Sequence, residues 1–242
     1  MKRAFLFWPL AMLAGGFVFL SPARAQADAV ATPQPEATTI PNDQNYRRNL
    51  AYQTYYDDYL ALKRGKPVDV IFIGDSITEQ WRWGAGRAVW KARFEDRALD
   101  FGQGGDTTQQ ALWRLLNIDL TGWSPKVAVI LIGTNNRHDQ PAAIAAGVNA
   151  VVVTTQKRFP GIKVVLVSIL PNARAKEIMA QANELIRPLA DGKAVVYLDL
   201  AAQFTPVADS WKGLQSDKLH LTEEGYRMWA AELEPLLAGL LK

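Results

Sequence analysis

Short apolar runs, separated by segments of helical periodicity, constrain the fold of this chain more than any other feature of its sequence. The runs lie at residues 68–73, 99–101, 126–132, 163–169 and 194–198. Continuous apolar runs of this length are typical of strands buried on both faces of a sheet. Segments with helical spacing lie at residues 46–63, 107–117, 141–157, 174–189 and 222–241. The alternation predicts an α/β fold, in which helices cover both faces of a five-stranded parallel sheet as a three-layer α/β/α sandwich.

Length and composition limit the classes of function. A chain of 242 residues is enough for one sizeable α/β domain and too short for two ordinary ones. The absence of cysteine excludes disulfides, Cys-ligated zinc, iron–sulfur clusters and thiol nucleophiles. Lys2, Arg3 and Arg24 account for the net charge of +3, because without the first 25 residues Lys+Arg falls from 27 to 24, against 24 Asp+Glu. The charge therefore gives no indication of a nucleic-acid partner, and we expect none.

The N-terminus predicts export. Lys2 and Arg3 precede an apolar stretch over residues 4–20, and residues 23–25 and 25–27 both offer a small-x-small cleavage site. This is the pattern of a signal peptide over residues 1–25, and the stretch is short for a membrane anchor. We therefore expect a periplasmic or secreted protein with no stable membrane anchor after cleavage. Residues 26–45 are polar and rich in Ala, Thr and Pro, which predicts a flexible linker before a folded domain at 46–242.

Polar residues follow the predicted strands, at the edge where ligands bind in parallel sheets. Ser76 comes after Gly74, whose lack of a side chain permits a sharp turn into a helix. Gly105 lies ahead of another helix, for which Asp106 and Gln109 resemble a capping box. Asn135 follows the third strand. The spacing predicts that these loops meet at one site.

A histidine near the C-terminus supplies the base that a serine nucleophile needs. The chain has two histidines, His138 and His220, and Asp217 lies three residues before the second. In a turn, that spacing allows Asp217 to bind one ring nitrogen while the other faces Ser76. The oxyanion of the intermediate would then be held by the backbone N–H groups of Ser76 and Gly105 and by the side-chain amide of Asn135. No cluster of His, Asp or Glu has the spacing of a metal site, and we expect no metal or other cofactor.

Four blocks in this order resemble the SGNH (GDSL) hydrolase superfamily: GDSIT at 74–78, FGQGGDTTQQALWRL at 101–115, GTNN at 133–136 and DKLHLTEEGY at 217–226. The second and third are especially similar to the α subunits of platelet-activating-factor acetylhydrolase and their bacterial relatives. The resemblance implies a flavodoxin-like sheet of five parallel strands. It also implies that Ser76, Gly105, Asn135 and His220 fill the four positions that name the superfamily, with Asp217 as third triad member.

We therefore expect an exported serine esterase acting on a small-molecule or polysaccharide acyl ester. The preference for acetyl groups comes only from the acetylhydrolase resemblance. Two alternatives stay open: a lysophospholipase or short-chain lipase, and an inactive glycan-binding module.

Other features have a structural interpretation beside the functional one. Trp81, Trp83, Trp90 and Trp211 flank the motifs and could line a pocket, although packing is the usual role of tryptophan. His138 is interpreted as a surface loop residue. Asp75 is expected to bind loop amides rather than to tune Ser76.

Overall fold

The computed structural model describes residues 37–44 and 50–242, and its centre is one parallel sheet. Five strands follow the order β2-β1-β3-β4-β5: β1 (Val70–Gly74), β2 (Ala98–Gly102), β3 (Val127–Leu131), β4 (Lys163–Val167) and β5 (Val195–Leu198). All neighbouring pairs in this sheet are parallel. Since the strand order reverses beside β1, the carboxyl ends of β1 and β3 border the crevice where such sheets bind ligands.

Helices cover both faces of the sheet. They are α1 (Leu50–Lys63), α2 (Ser76–Trp83), α3 (Arg87–Arg93), α4 (Thr108–Asn117), α5 (Pro141–Arg158), α6 (Lys176–Ile186) and α7 (Glu223–Leu240). A short antiparallel hairpin, β6 (Pro206–Val207) and β7 (Ser210–Trp211), lies between β5 and α7. Short 3-10 turns occupy Ala37–Thr39, Thr134–Asn136, Arg187–Leu189 and Leu200–Gln203.

The side chains of each strand alternate between two hydrophobic cores. In β1, Ile71 and Ile73 pack with α1, α4, α5 and α6, whereas Val70 and Phe72 pack with α2, α3 and α7. This alternation follows from the period of two along a strand. It explains why the strands are apolar throughout, since both faces are covered. The predicted three-layer α/β/α sandwich with a five-stranded parallel sheet is confirmed.

Aromatic rings fill the core on the α2, α3 and α7 side. Trp81 is completely buried, and its ring centre lies 4.5 Å from that of Tyr226 and 5.2 Å from that of Trp229. Phe72 contributes from β1, 5.2 Å from Trp90. A pocket-lining role is therefore wrong for Trp81, because a pocket wall needs a free ring face. Trp90, which is 1% exposed, borders a cavity that Trp83 also lines.

The predicted flexible linker is wrong for residues 37–42. Thr38 is buried, its hydroxyl donates to Ala143 O at 2.6 Å, and its carbonyl accepts from the Thr108 hydroxyl at 2.8 Å. Asn42 accepts from the Gln110 amide at 2.6 Å. The low hydrophobicity of this segment does not make it flexible, because hydrogen bonds to residues of α4 and α5 hold it in place. The predicted signal peptide, residues 26–36 and 45 of the linker, and positions 46–49 of the first predicted helix lie outside the described residues.

Within the ranges that the structure describes, none of the helices combines the length and the apolarity that a membrane span needs.

Replacing Trp81 by alanine should lower the free energy of unfolding by about 3–5 kcal/mol, because it leaves a large cavity between rings that cannot close it. Urea denaturation followed by circular dichroism measures the change. Trp83→Ala is the matched control: its residue is 49% exposed, so its effect should stay within about 0.5 kcal/mol. Equal losses in the two variants would contradict the packing role of Trp81.

Candidate active site

Ser76 is the first residue of α2, directly beyond the carboxyl end of β1. Asp75 caps this helix, since its Oδ1 accepts the Ile77 N–H at 2.9 Å. The expected structural role of Asp75 is thus observed. Gly74 is required where β1 turns into α2, because a Cβ there would lie 2.4 Å from Leu131 O and 2.0 Å from the Thr78 hydroxyl. The turn leaves Ser76 partly exposed.

His220 reaches Ser76 from a loop at the other end of the chain. Its Nε2 lies 2.9 Å from Ser76 Oγ, although 144 positions separate the two residues. Its Nδ1 lies 2.5 Å from Asp217 Oδ2. A carboxylate beside Nδ1 favours the tautomer with the proton on that nitrogen, which leaves Nε2 free to accept from the hydroxyl.

Asp217 is held in place by the backbone of the same loop that carries His220. Its Oδ1 accepts the backbone N–H groups of Leu219 and His220, each at 3.0 Å. Burial acts to raise the pKa of Asp217, but the hydrogen bonds from the His220 ring and from these two N–H groups outweigh it and keep the pKa below its usual value. The carboxylate therefore stays ionised at neutral pH, as an acceptor for Nδ1 must.

Asn135 is hydrogen-bonded to Asp106, the residue that follows Gly105. The Asn135 Nδ2 donates to Asp106 O at 2.9 Å. Gly105 has a φ of +78° and is exposed, so its position on the loop suits glycine. One amide proton of Asn135 is used in the bond to Asp106, and the other is left for a ligand.

The capping box predicted at Asp106 and Gln109 is wrong by one residue. Thr107 is the N-cap of α4, and its N–H donates to Gln110 Oε1 at 2.8 Å. Asp106 instead forms a buried ion pair, in which its Oδ2 accepts from Arg114 Nε at 2.6 Å. Spacing alone could not decide which residue is the N-cap, since Asp106 and Thr107 each have a glutamine three residues later.

Two residues with no role predicted from the sequence, Arg114 and Asn136, hold this edge of the site. Arg114 donates to Phe101 O at 2.7 Å and to Gly74 O at 3.3 Å, besides its ion pair. Asn136 Oδ1 accepts the Thr108 N–H at 3.0 Å, which ties the loop after β3 to the start of α4. The sequence could have indicated that Arg114 is buried, because it lies on the same face of α4 as Ala111 and Leu115, which are both buried.

The other candidate residues lie as follows. His138 is exposed, as expected for a surface loop residue. Trp83 is exposed and lies beside a different cavity, together with Tyr59 and Arg82. Trp211 is half-buried in the β6–β7 hairpin. Across residues 37–44 and 50–242, no group of three or more His, Asp or Glu side chains could hold a metal ion.

Comparison with known proteins identifies the family of this chain. The model of the GDSL-like lipase/acylhydrolase family matches residues 72–228. Platelet-activating factor acetylhydrolase IB subunit alpha1 from Homo sapiens is 32% identical over 197 residues, which span 78% of this chain and 84% of that protein. A lipase/acylhydrolase from Enterococcus faecalis superposes with a TM-score of 0.56 at 21% identity, over 71% of this chain and 96% of its own. A carbohydrate esterase family 3 structure from Talaromyces cellulolyticus gives 0.53 at 19%, over 72% and 97%. These two structures share the fold.

Asp75 should make stability depend on pH. Burial raises the pKa of its carboxyl to about 7, against the opposing hydrogen bond from Ile77. Between about pH 4 and pH 7 the folded protein thus holds a proton that the unfolded chain releases, and the free energy of unfolding falls as pH rises, by about 1.4 kcal/mol per pH unit for one proton. In Asp75→Asn, which keeps the capping oxygen, this component should vanish. Urea denaturation at pH 5, 6 and 7 measures the slopes.

Asp75→Ala supplies the control for that experiment. It also lacks the titrating carboxyl but loses the cap, so it should share the shallower slope of Asp75→Asn while being less stable by about 1 kcal/mol. A wild-type slope in both variants would mean that Asp75 is ionised in the folded protein.

Proposed function

This chain belongs to the GDSL-like lipase/acylhydrolase family, and from that membership we propose that it is a serine esterase with Ser76 as nucleophile, His220 as base and Asp217 as the residue that orients the base. Hydrolysis of carboxylic esters follows from the family. The observation that carries the assignment of residues is the chain of contacts from Ser76 Oγ to His220 Nε2 at 2.9 Å and from His220 Nδ1 to Asp217 at 2.5 Å.

The geometry supports a two-step reaction. His220 Nε2 takes the proton of the Ser76 hydroxyl as Oγ attacks the ester carbonyl, and Asp217 stabilises the imidazolium that forms. The tetrahedral intermediate collapses when His220 gives this proton to the departing alcohol, which leaves an acyl group on Ser76. Water, deprotonated by the same nitrogen, then attacks the acyl-enzyme, and the proton returns to Oγ as the carboxylic acid leaves.

The negative oxygen of each intermediate needs donors that are already in place. In the proposed site these are the Ser76 and Gly105 N–H groups and the free amide proton of Asn135. The bond from Asn135 to Asp106 O supports this role, because it restrains the amide beside the Gly105 loop. Donors fixed before the reaction stabilise developing charge without a reorganisation cost.

Short acyl groups, acetyl above all, are the proposed substrates. This preference is supported by the relatives at 32% identity, which are named acetylhydrolases. A lysophospholipase or short-chain lipase is the competing interpretation. An inactive glycan-binding module is the third.

Substitutions in the proposed triad should separate catalysis from folding. Ser76→Ala should lose both ester hydrolysis and labelling by a fluorophosphonate probe, because no other hydroxyl is activated there. Asp217→Asn should keep the fold and lose on the order of 10⁴ in turnover, through the wrong tautomer of His220. Hydrolysis of p-nitrophenyl acetate and in-gel fluorescence measure the two effects.

The control for these variants is Ser124→Ala, which changes an exposed serine on the loop before β3 and should keep wild-type activity and labelling. Labelling that persists in Ser76→Ala would overturn the nucleophile, and near-normal turnover in Asp217→Asn would mean that another group orients the base. An unlabelled wild-type protein would favour the inactive module.

The acyl preference can be measured with p-nitrophenyl esters of two to twelve carbons. We expect kcat/KM to be highest for acetate and to fall as the acyl chain lengthens. An optimum at eight or more carbons would favour the lipase interpretation and reject the acetyl preference.

We also propose that the protein is exported, on the basis of the basic start, the apolar stretch and the small-x-small sites within residues 1–27. Expressed with its N-terminus intact in a Gram-negative host, the chain should be recovered from the periplasm or the medium. N-terminal sequencing should then begin at Gln26 or Asp28. Full-length protein confined to the cytoplasm would contradict this proposal.

A further inference from the structure

A cavity of about 390 Å³ lies between the start of α6 and the β6–β7 hairpin. Trp211 forms part of its wall from the hairpin, and Arg174, Lys176 and Glu177 line it from the α6 side. These residues belong to none of the four sequence blocks, and the proposed hydrolytic mechanism does not use them.

The cavity adjoins the loop that carries His220. Lys218, two residues before the histidine, contacts both of its walls: its carbonyl accepts from the Ala173 N–H at 3.1 Å, and its ammonium group pairs with Asp209 of the hairpin turn. Ala173 and Asp209 both line the cavity. A ligand held there therefore lies against residues that contact the loop of the proposed base.

The lining combines one aromatic surface with charged groups. Trp211 packs partly against the hydrophobic core, which fixes its ring, and Lys176 Nζ lies 5.8 Å from the ring centre. In the part of the chain that the structure describes, no ion pair involves Arg174, Lys176 or Glu177. Their polar atoms can therefore bond to a ligand.

The wall on the α6 side is preorganised. Asn172 is buried, and its Oδ1 accepts the N–H groups of Arg174 and Ala175 at 3.0 and 3.1 Å. These bonds hold the backbone of the loop before any ligand arrives, which lowers the entropic cost of binding.

We infer that this cavity binds a sugar ring of an acylated glycan, and so recognises the alcohol part of the ester; the inference rests on the proposed esterase function. A sugar ring offers C–H groups that pack on an aromatic face and hydroxyls that bond to charged side chains. A lipid tail offers no hydrogen-bond partner for Arg174, Lys176 and Glu177, which are exposed, and would displace water from any polar atom that it covers without replacing the hydrogen bond.

Trp211→Ala tests the inference through substrate dependence. Its KM for acetylated xylo-, gluco- and galacturono-oligosaccharides should rise about tenfold or more for those that the wild type cleaves, since the ring surface is lost. Its kcat/KM for p-nitrophenyl acetate, which carries no sugar, should stay within about twofold. Trp211→Phe should restore much of the oligosaccharide KM, because it keeps an aromatic face.

Two further measurements guard against an effect on folding. Trp83→Ala, which changes an exposed tryptophan that lines a different cavity, should leave the kinetics with both substrates unchanged. The deacetylated oligosaccharides should inhibit p-nitrophenyl acetate hydrolysis by the wild type and inhibit Trp211→Ala much more weakly. If Trp211→Ala does not fold, Lys176→Ala, on an exposed residue, should raise the same KM severalfold.

The outcomes separate this inference from the esterase proposal. Equal changes on both substrates, or none on either, would overturn the sugar site. So would a wild-type enzyme that cleaves p-nitrophenyl acetate but none of the acetylated oligosaccharides. A wild-type protein that hydrolyses no p-nitrophenyl ester would instead contradict the esterase function itself.

Discussion

Arg114 places a guanidinium in the interior of the domain, where its side chain is 2% exposed. It donates to the main-chain carbonyls of Phe101 and Gly74 and pairs with Asp106, so that the ends of β1 and β2 and the loop that carries Gly105 are joined through one group. Removing one partner of such a buried pair costs about 3–5 kcal/mol, because the other charge is left uncompensated. The loop on the oxyanion side of the proposed site is therefore anchored to the buried interior through Asp106.

A second buried arginine, Arg82, contacts the end of β2 from α2. Arg82 of α2 donates to Gly102 O at 3.1 Å and to Glu79 at 3.0 Å. Gly102 also permits the close approach of α2, since a Cβ there would lie 2.4 Å from Glu79 N. The helix that begins at Ser76 is thereby held against β2. In the proposed mechanism this would restrain the Ser76 hydroxyl before substrate arrives.

His220 is positioned differently, by a loop rather than by a strand end. Backbone hydrogen bonds hold this loop: Gln215 N–H donates to His220 O at 2.7 Å, and Ala173 N–H donates to Lys218 O. Through Lys218 the same loop contacts Ala173 and Asp209, which line the cavity beside Trp211. Recognition of the alcohol and protonation of the alcohol would then depend on one segment, which couples substrate choice to the orientation of the base.

The sequence by itself determined the strands, the layered fold and the family. Continuous apolar runs and short turn motifs are local patterns, and they favour buried strands and sharp turns without information from distant residues. It also indicated which side chains meet, since strand ends share one edge of a parallel sheet. Only the tertiary structure decided that Trp81 is core while Trp83 is exposed, that Arg114 rather than a helix cap engages Asp106, and that residues 37–42 pack on the domain. Each of these depends on residues that are distant in the chain. Their positions decide which side chains are buried or hydrogen-bonded, and local composition does not indicate those positions.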